Sequence, residues 1–249
     1  MSTLLYILIF SFLGSVVSLI GGVLLLMREK FAVRISHFLS AFAAGTLLGT
    51  AFFDLLPESF ESGVEVNIFF WAVLGILTFF LLERFIHHHG HGSEQEAKKS
   101  VVPLIVVGDT VHNFVDGVAI AATFLISVPL GIVTTLAVAA HEIPQEIGDF
   151  GLLLNSGMKA GRVLLINLFS SLTALLGAVL TYLYRDNLEG FLPLILSVTA
   201  GFFIYIALAN LVPEIHNNDN QKVAFWETVM LFLGVLVVYF VISALEGIR

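Results

Sequence analysis

Residues 44–58, AGTLLGTAFFDLLPE, and residues 200–214, AGFFIYIALANLVPE, start on the same Ala-Gly pair and end on the same pattern. That ending is an Asp or Asn, then Leu, an aliphatic residue, Pro and Glu, with no gap needed to align the two. Each reads as an apolar helix that closes near its proline. Working outward, eight stretches of about 20 mainly apolar residues, the length that crosses a bilayer, can be marked. They are Leu4–Met27, Ser36–Leu56, Ile68–Ile86, Val101–Phe124, Leu130–Leu154, Val163–Tyr184, Phe191–Val212 and Val223–Leu245. The two echoing segments fall in the second and the seventh, which run in opposite directions if every stretch crosses. The expected fold is an all-α membrane protein of eight transmembrane helices, one domain over residues 1–249. Helices 1–3 and 6–8 form an inverted repeat around helices 4–5, a 3+2+3 arrangement, and such repeats belong to membrane carriers.

Composition agrees. The 249 residues are 58% hydrophobic and 12% charged, too little charge to coat a water-facing surface. The first apolar run has no basic start and no small-residue cleavage pattern, so it reads as a retained helix. The net charge is −8 and no basic stripe occurs, which argues against nucleic-acid partners. Lipid is the expected surroundings, in the cell membrane. Cysteine is absent, so disulfides and thiolate chemistry are excluded. Any bound metal must be held by nitrogen and oxygen.

Lys and Arg set the expected orientation. The loops after spans one, three, five and seven, with their flanks, carry Arg28, Lys30, Arg34, Arg84, Lys98, Lys99, Lys159, Arg162 and Lys222. The other side carries Arg185 and Arg249. Positive charge favours the cytoplasm, so both termini are expected outside it and residues 87–100 form a cytoplasmic His-rich loop. There His87, His88, His89 and His91 make a tract able to bind metal.

The fourth span holds Gly108-Asp109-Thr110-Val111-His112-Asn113-Phe114-Val115-Asp116-Gly117. The fifth holds His141-Glu142-Ile143-Pro144-Gln145-Glu146-Ile147-Gly148-Asp149. Ionisable groups inside a span are costly and mark pathways or partners. His112, Asn113 and Asp116 share one helix face, as do His141, Glu142 and Gln145. Both triads fall near the midplane, and the two spans run antiparallel. Two imidazoles, two carboxylates and two amide oxygens at one depth suit zinc, and also Cd, Mn, Fe or Co. There is room for two ions, one held by His112, Asp116, His141 and Gln145, the other by Asn113, Asp116, Glu142 and Gln145. Asp109 and Asp149 lie on the cytoplasmic side as a way out for a cation, and Glu146 sits one residue off the stripe. Pro144 is expected to kink its helix, and Gly117 and Gly148 to admit close neighbours.

The segments His112–Gly117 and His141–Asp149 resemble those of the ZIP family of divalent-metal transporters, and the likeness extends over nearly the whole chain. The fifth-span segment is similar to the branch whose motif reads His-Glu-x-Pro-His-Glu, except that Gln145 stands at the second His. The resemblance implies a binuclear site between the fourth and fifth spans, uptake toward the cytoplasm, and homodimers. By position it adds Asp54, Asn167 and Asn210 as polar contributors from spans two, six and seven. Two other activities touch the pattern. His141-Glu142-x-x-Gln145 approaches the His-Glu-x-x-His of zinc proteases, which would make an intramembrane metalloprotease. A membrane metal sensor that binds without conducting would also use these ligands. Carrier transport, with no catalysis, is the leading expectation.

Overall fold

A computed structural model describes residues 2–61, 67–87, 94–216 and 221–246, and these residues are almost wholly helical. In chain order the α-helices are α1 (Thr3–Ser11), α2 (Ile20–Thr50), α3 (Leu56–Glu61), α4 (Ile68–His87), α5 (Glu94–Ile126) and α6 (Val128–Asn155). They continue as α7 (Ala160–Leu183), α8 (Arg185–Leu188), α9 (Leu192–Tyr205), α10 (Val212–His216) and α11 (Gln221–Glu246). Wider π turns occur at Phe12–Val16, Ala51–Leu55 and Ile206–Leu211. His88, His89 and His91 lie outside the described residues, as does the side chain of His87.

Five helical stretches are long and apolar enough to cross a membrane, among the described residues: Thr3–Glu61, Ile105–Ile126, Ala160–Leu183, Arg185–Leu211 and Gln221–Leu245. The first is 59 residues long. At about 1.5 Å per residue that exceeds a roughly 30 Å hydrocarbon core more than twice over. Its helical geometry fails at Arg28 (φ −148°, ψ 62°). The break is a single residue where a polar turn from Arg28 to Ile35 was expected. The reason is local: Glu29, Lys30 and Arg34 are good helix formers, so α2 starts its next stretch at once.

The echo seen in sequence carries into the backbone. After Gly45 come the π turn Ala51–Leu55 and α3; after Gly201 come the π turn Ile206–Leu211 and α10. Gly45 and Gly201 play the same part. A side chain at Gly45 would strike the carbonyl of Leu231 on α11, and one at Gly201 the carbonyl of Ala72 on α4. Their partners are glycines too: Gly234 faces the Phe42 carbonyl and Gly75 the Val198 carbonyl. Helices surrounded by lipid gain little from apolar burial, so close backbone approach at small residues is what joins them. The outward faces carry large apolar side chains, among them Phe69, Phe169 and Phe232.

The hairpin α5–α6 turns on one residue. Ser127 is extended, and its hydroxyl accepts from the Leu130 N–H (3.3 Å), starting α6 with Pro129 in its first turn. His112 lies fifteen residues before Ser127 and His141 fourteen after it, so the hairpin brings them level. α5 packs on α6 and α7, and α2 on α6 and α11. Gly117 meets the Ala174 carbonyl of α7, as expected of it, whereas Gly148 has open space around it. α6 runs through Pro144 as one helix, so the expected kink does not interrupt it.

Candidate metal centre

The hairpin places His112, Asp116, His141 and Glu142 in one cluster. Each offers a ligand atom, and the four atoms lie within 4.8 Å of one another. Nε2 of His112 is 3.1 Å from Nε2 of His141. Asp116 Oδ2 is 3.2 Å from His141 Nε2 and 3.6 Å from His112 Nε2; Glu142 Oε1 is 3.3 Å from His112 Nε2 and 3.8 Å from His141 Nε2. The cluster is dry, with relative exposures of 7% at His112, 2% at Asp116, 0% at His141 and 1% at Glu142.

His141 is oriented by its own helix. A carbonyl can only accept, so the 2.9 Å contact with the Ala137 carbonyl puts a proton on Nδ1. In the neutral ring Nε2 then carries a lone pair turned toward the cluster. Both carboxylate oxygens of Glu142 and Oδ2 of Asp116 are buried without a hydrogen bond among the described residues. Two aromatic rings stand beside the histidines. Phe79 of α4 stands T-shaped to His112 at 5.6 Å, and Phe203 of α9 to His141 at 6.1 Å. The assembly is rich in acceptors and poor in donors, which in low dielectric calls for a cation.

The remaining expected residues fall elsewhere. Asn113 is fully buried but turned away from the four: its Nδ2 donates to Asp109 Oδ1 (2.8 Å) and to the Asp109 carbonyl (3.1 Å), and its Oδ1 accepts from the Ser15 hydroxyl. Gln145 and Asp149 are half-buried. Glu146 is buried, with Oε1 accepting from the Ser171 hydroxyl at 3.3 Å. Asn167 is buried on α7, its Nδ2 donating to the Val163 carbonyl at 2.8 Å and its own carbonyl accepting from Ser171. Asp54 is half-buried and borders a small pocket with Glu58, Pro129 and Leu130, about 16 Å along α6 from His141. Asn210 is exposed on its π turn, so it is not brought to the cluster.

Sequence reasoning missed Ser15 and Ser171. Ser11, Ser15 and Ser18 recur at helical spacing in an apolar span and are all buried, so that stripe was the available signal.

Comparison with known proteins agrees with this architecture. The family model of the ZIP zinc transporters matches residues 2–104 and 93–242. Zinc transporter ZIP13 of Pongo abelii is 32% identical over 229 residues, covering 86% of this chain and 68% of the relative. Zinc transporter ZIP13 of Mus musculus is 30% identical, covering 86% of this chain and 71% of the relative. Zinc transporter ZIP4 of Mus musculus is 44% identical over 119 residues, 48% of this chain and 18% of that longer protein. The chain belongs to the ZIP family of metal-ion transporters, integral membrane proteins with several spanning helices. The relatives are named as transporters, not as enzymes.

Proposed function

We propose that this chain moves divalent metal ions, zinc foremost, across the membrane into the cytoplasm through a midplane site between α5 and α6. The carrying observation is the buried set His112, Asp116, His141 and Glu142, whose ligand atoms converge within 4.8 Å. Two carboxylates balance one dication, and two neutral imidazoles supply nitrogen donors without adding charge. Glu142 thus joins the first ion's ligands, beside those assigned from helix faces. Gln145 lies one helical turn along from His141; with Asn113, Asp116 and Glu142 it is a proposed ligand of a second ion. The transported ion is substrate here. Cd, Mn, Fe and Co suit the same donors.

The whole chain acts as one domain of eight spans, with both termini outside the cytoplasm, in a 3+2+3 arrangement around α5 and α6. The matched glycine crossings and paired π turns support that symmetry. Rocking of one set of helices against the other would expose the site to each side in turn. The His-rich loop at 87–100 would gather or sense ion on the cytoplasmic side, Asp54 would draw ions toward the site, and Asp109 and Asp149 would line the way out. Homodimers in the cell membrane complete the reading. A protease is disfavoured because Gln145 replaces the second His of its motif.

Protons compete for the same nitrogen and oxygen lone pairs, so metal binding should weaken as pH falls from 7.5 to 5.5. Equilibrium dialysis with zinc over that range checks it, and constant affinity would contradict the ligand set. The decisive test is radiolabelled zinc uptake into proteoliposomes. Asp116→Ala should abolish it, and undiminished flux would overturn the proposal. Binding without flux in the native protein would mark a sensor. Cleavage of a membrane substrate, lost in Glu142→Ala, would mark a protease.

A further inference from the structure

Between Lys99 and Lys159 the chain has five acids, Asp109, Asp116, Glu142, Glu146 and Asp149, two histidines, and no Lys or Arg. Asp116 and Glu142 belong to the histidine cluster, whose ligand atoms converge, and the other three acids lie outside it. Asp149 is half-buried, whereas Asp109 (6% exposed) and Glu146 (1% exposed) are buried. Two more carboxylates held dry without a counter-charge are costly.

These two are linked by a relay of hydrogen-bonded groups. Glu146 Oε1 accepts from Ser171 Oγ at 3.3 Å. Ser15 Oγ lies between the Ser171 carbonyl, at 3.0 Å, and Asn113 Oδ1. Asn113 holds Asp109 Oδ1 at 2.8 Å. The walls come from α5, α6, α7 and the π turn Phe12–Val16. Glu146 Oε2 is left without a hydrogen bond among the described residues. A buried carboxylate oxygen left unpartnered at the end of such a relay is a ligand atom short of a cation.

We propose that Asp109 and Glu146 form a further cation station, built of oxygen donors alone, one helical turn from the histidine cluster. The site stands on this geometry. Its role as a way-station rests on the transport reading: an ion leaving the imidazoles enters a site without nitrogen ligands, which holds zinc more weakly and releases it sooner. Oxygen donors alone also suit harder ions, so manganese and calcium should bind there in preference to the histidine cluster.

The test is anomalous diffraction from crystals of the full chain soaked in manganese alone or cadmium alone. Manganese should give a peak between Asp109 and Glu146, and cadmium a peak at His112 and His141. Glu146→Gln, which keeps the side chain's size, should lose the first peak and keep the second. In proteoliposomes Glu146→Gln and Asp109→Asn should lower the maximal zinc uptake rate about tenfold, with the half-saturating concentration within about twofold. A cadmium peak at the histidines with no manganese peak beside Glu146 overturns the station and leaves the transport site intact. A manganese peak beside Glu146 with no cadmium at the histidines upholds the station and removes the transport reading.

Discussion

The ends of α2 and of α9, each with its π turn, are two versions of one device, and they differ in what they carry. Both bring a glycine, Gly45 or Gly201, against a neighbour's backbone carbonyl, and both widen some five or six residues later. Yet Asp54 is half-buried beside Glu58 and the start of α6, while Asn210, its counterpart, is exposed. What has been kept is the way helices approach; what has diverged is the polar chemistry. A glycine crossing works in either orientation because it needs only two backbones and no water. A buried carboxylate works only where a partner waits, and the densest buried charge stands in the unrepeated hairpin α5–α6.

That contrast can be broken in four places. The largest effect is expected in the hairpin. His141→Ala removes the oriented Nε2 and should cut zinc uptake by about 100-fold or more with the thermal melting curve unchanged; a lowered melting temperature with undiminished uptake would reverse the division. Next come the crossings. Gly45→Leu and Gly201→Leu should each destabilise by about 3 kcal/mol or more, seen as lost monodisperse protein on size exclusion. Unequal losses would show that the crossings are not equivalent. Smaller is Gln145→His, which should tighten zinc about tenfold by adding an imidazole, measured by competition with cadmium. Smallest is the pair that differs between the repeats. Asp54→Asn should slow uptake from dilute zinc by roughly threefold through weaker electrostatic capture, and Asn210→Asp should leave it unaltered.

Helix periodicity explains what was legible beforehand. His112 and Asp116 are four apart, so their shared face follows from the residue spacing alone, and so does the level meeting of two antiparallel helices. Asn113 obeys the same spacing rule yet turns aside, because its partner Ser15 lies almost a hundred residues earlier and no local pattern says where that helix passes. The Arg28 break and the π turns were hidden for a related reason. Both are adjustments of backbone to neighbours, and no shared residue pattern marks them. Gly117 and Gly148 look alike in sequence, and only the position of α7 makes one of them a contact.

The π turns also bear on which lengths of chain the bundle tolerates. A π turn closes its hydrogen bonds one residue later than an α turn, so Ala51–Leu55 and Ile206–Leu211 each absorb one residue beyond what the surrounding helix needs. Removing a residue inside either would let that turn relax to α geometry while the faces above and below stay aligned. The same deletion beside Gly45 would swing everything beyond it by about 100° and carry Gly49 and Asp54 off their partners. The two repeats therefore each keep a slack link, where the chain can shorten by one without losing its grip.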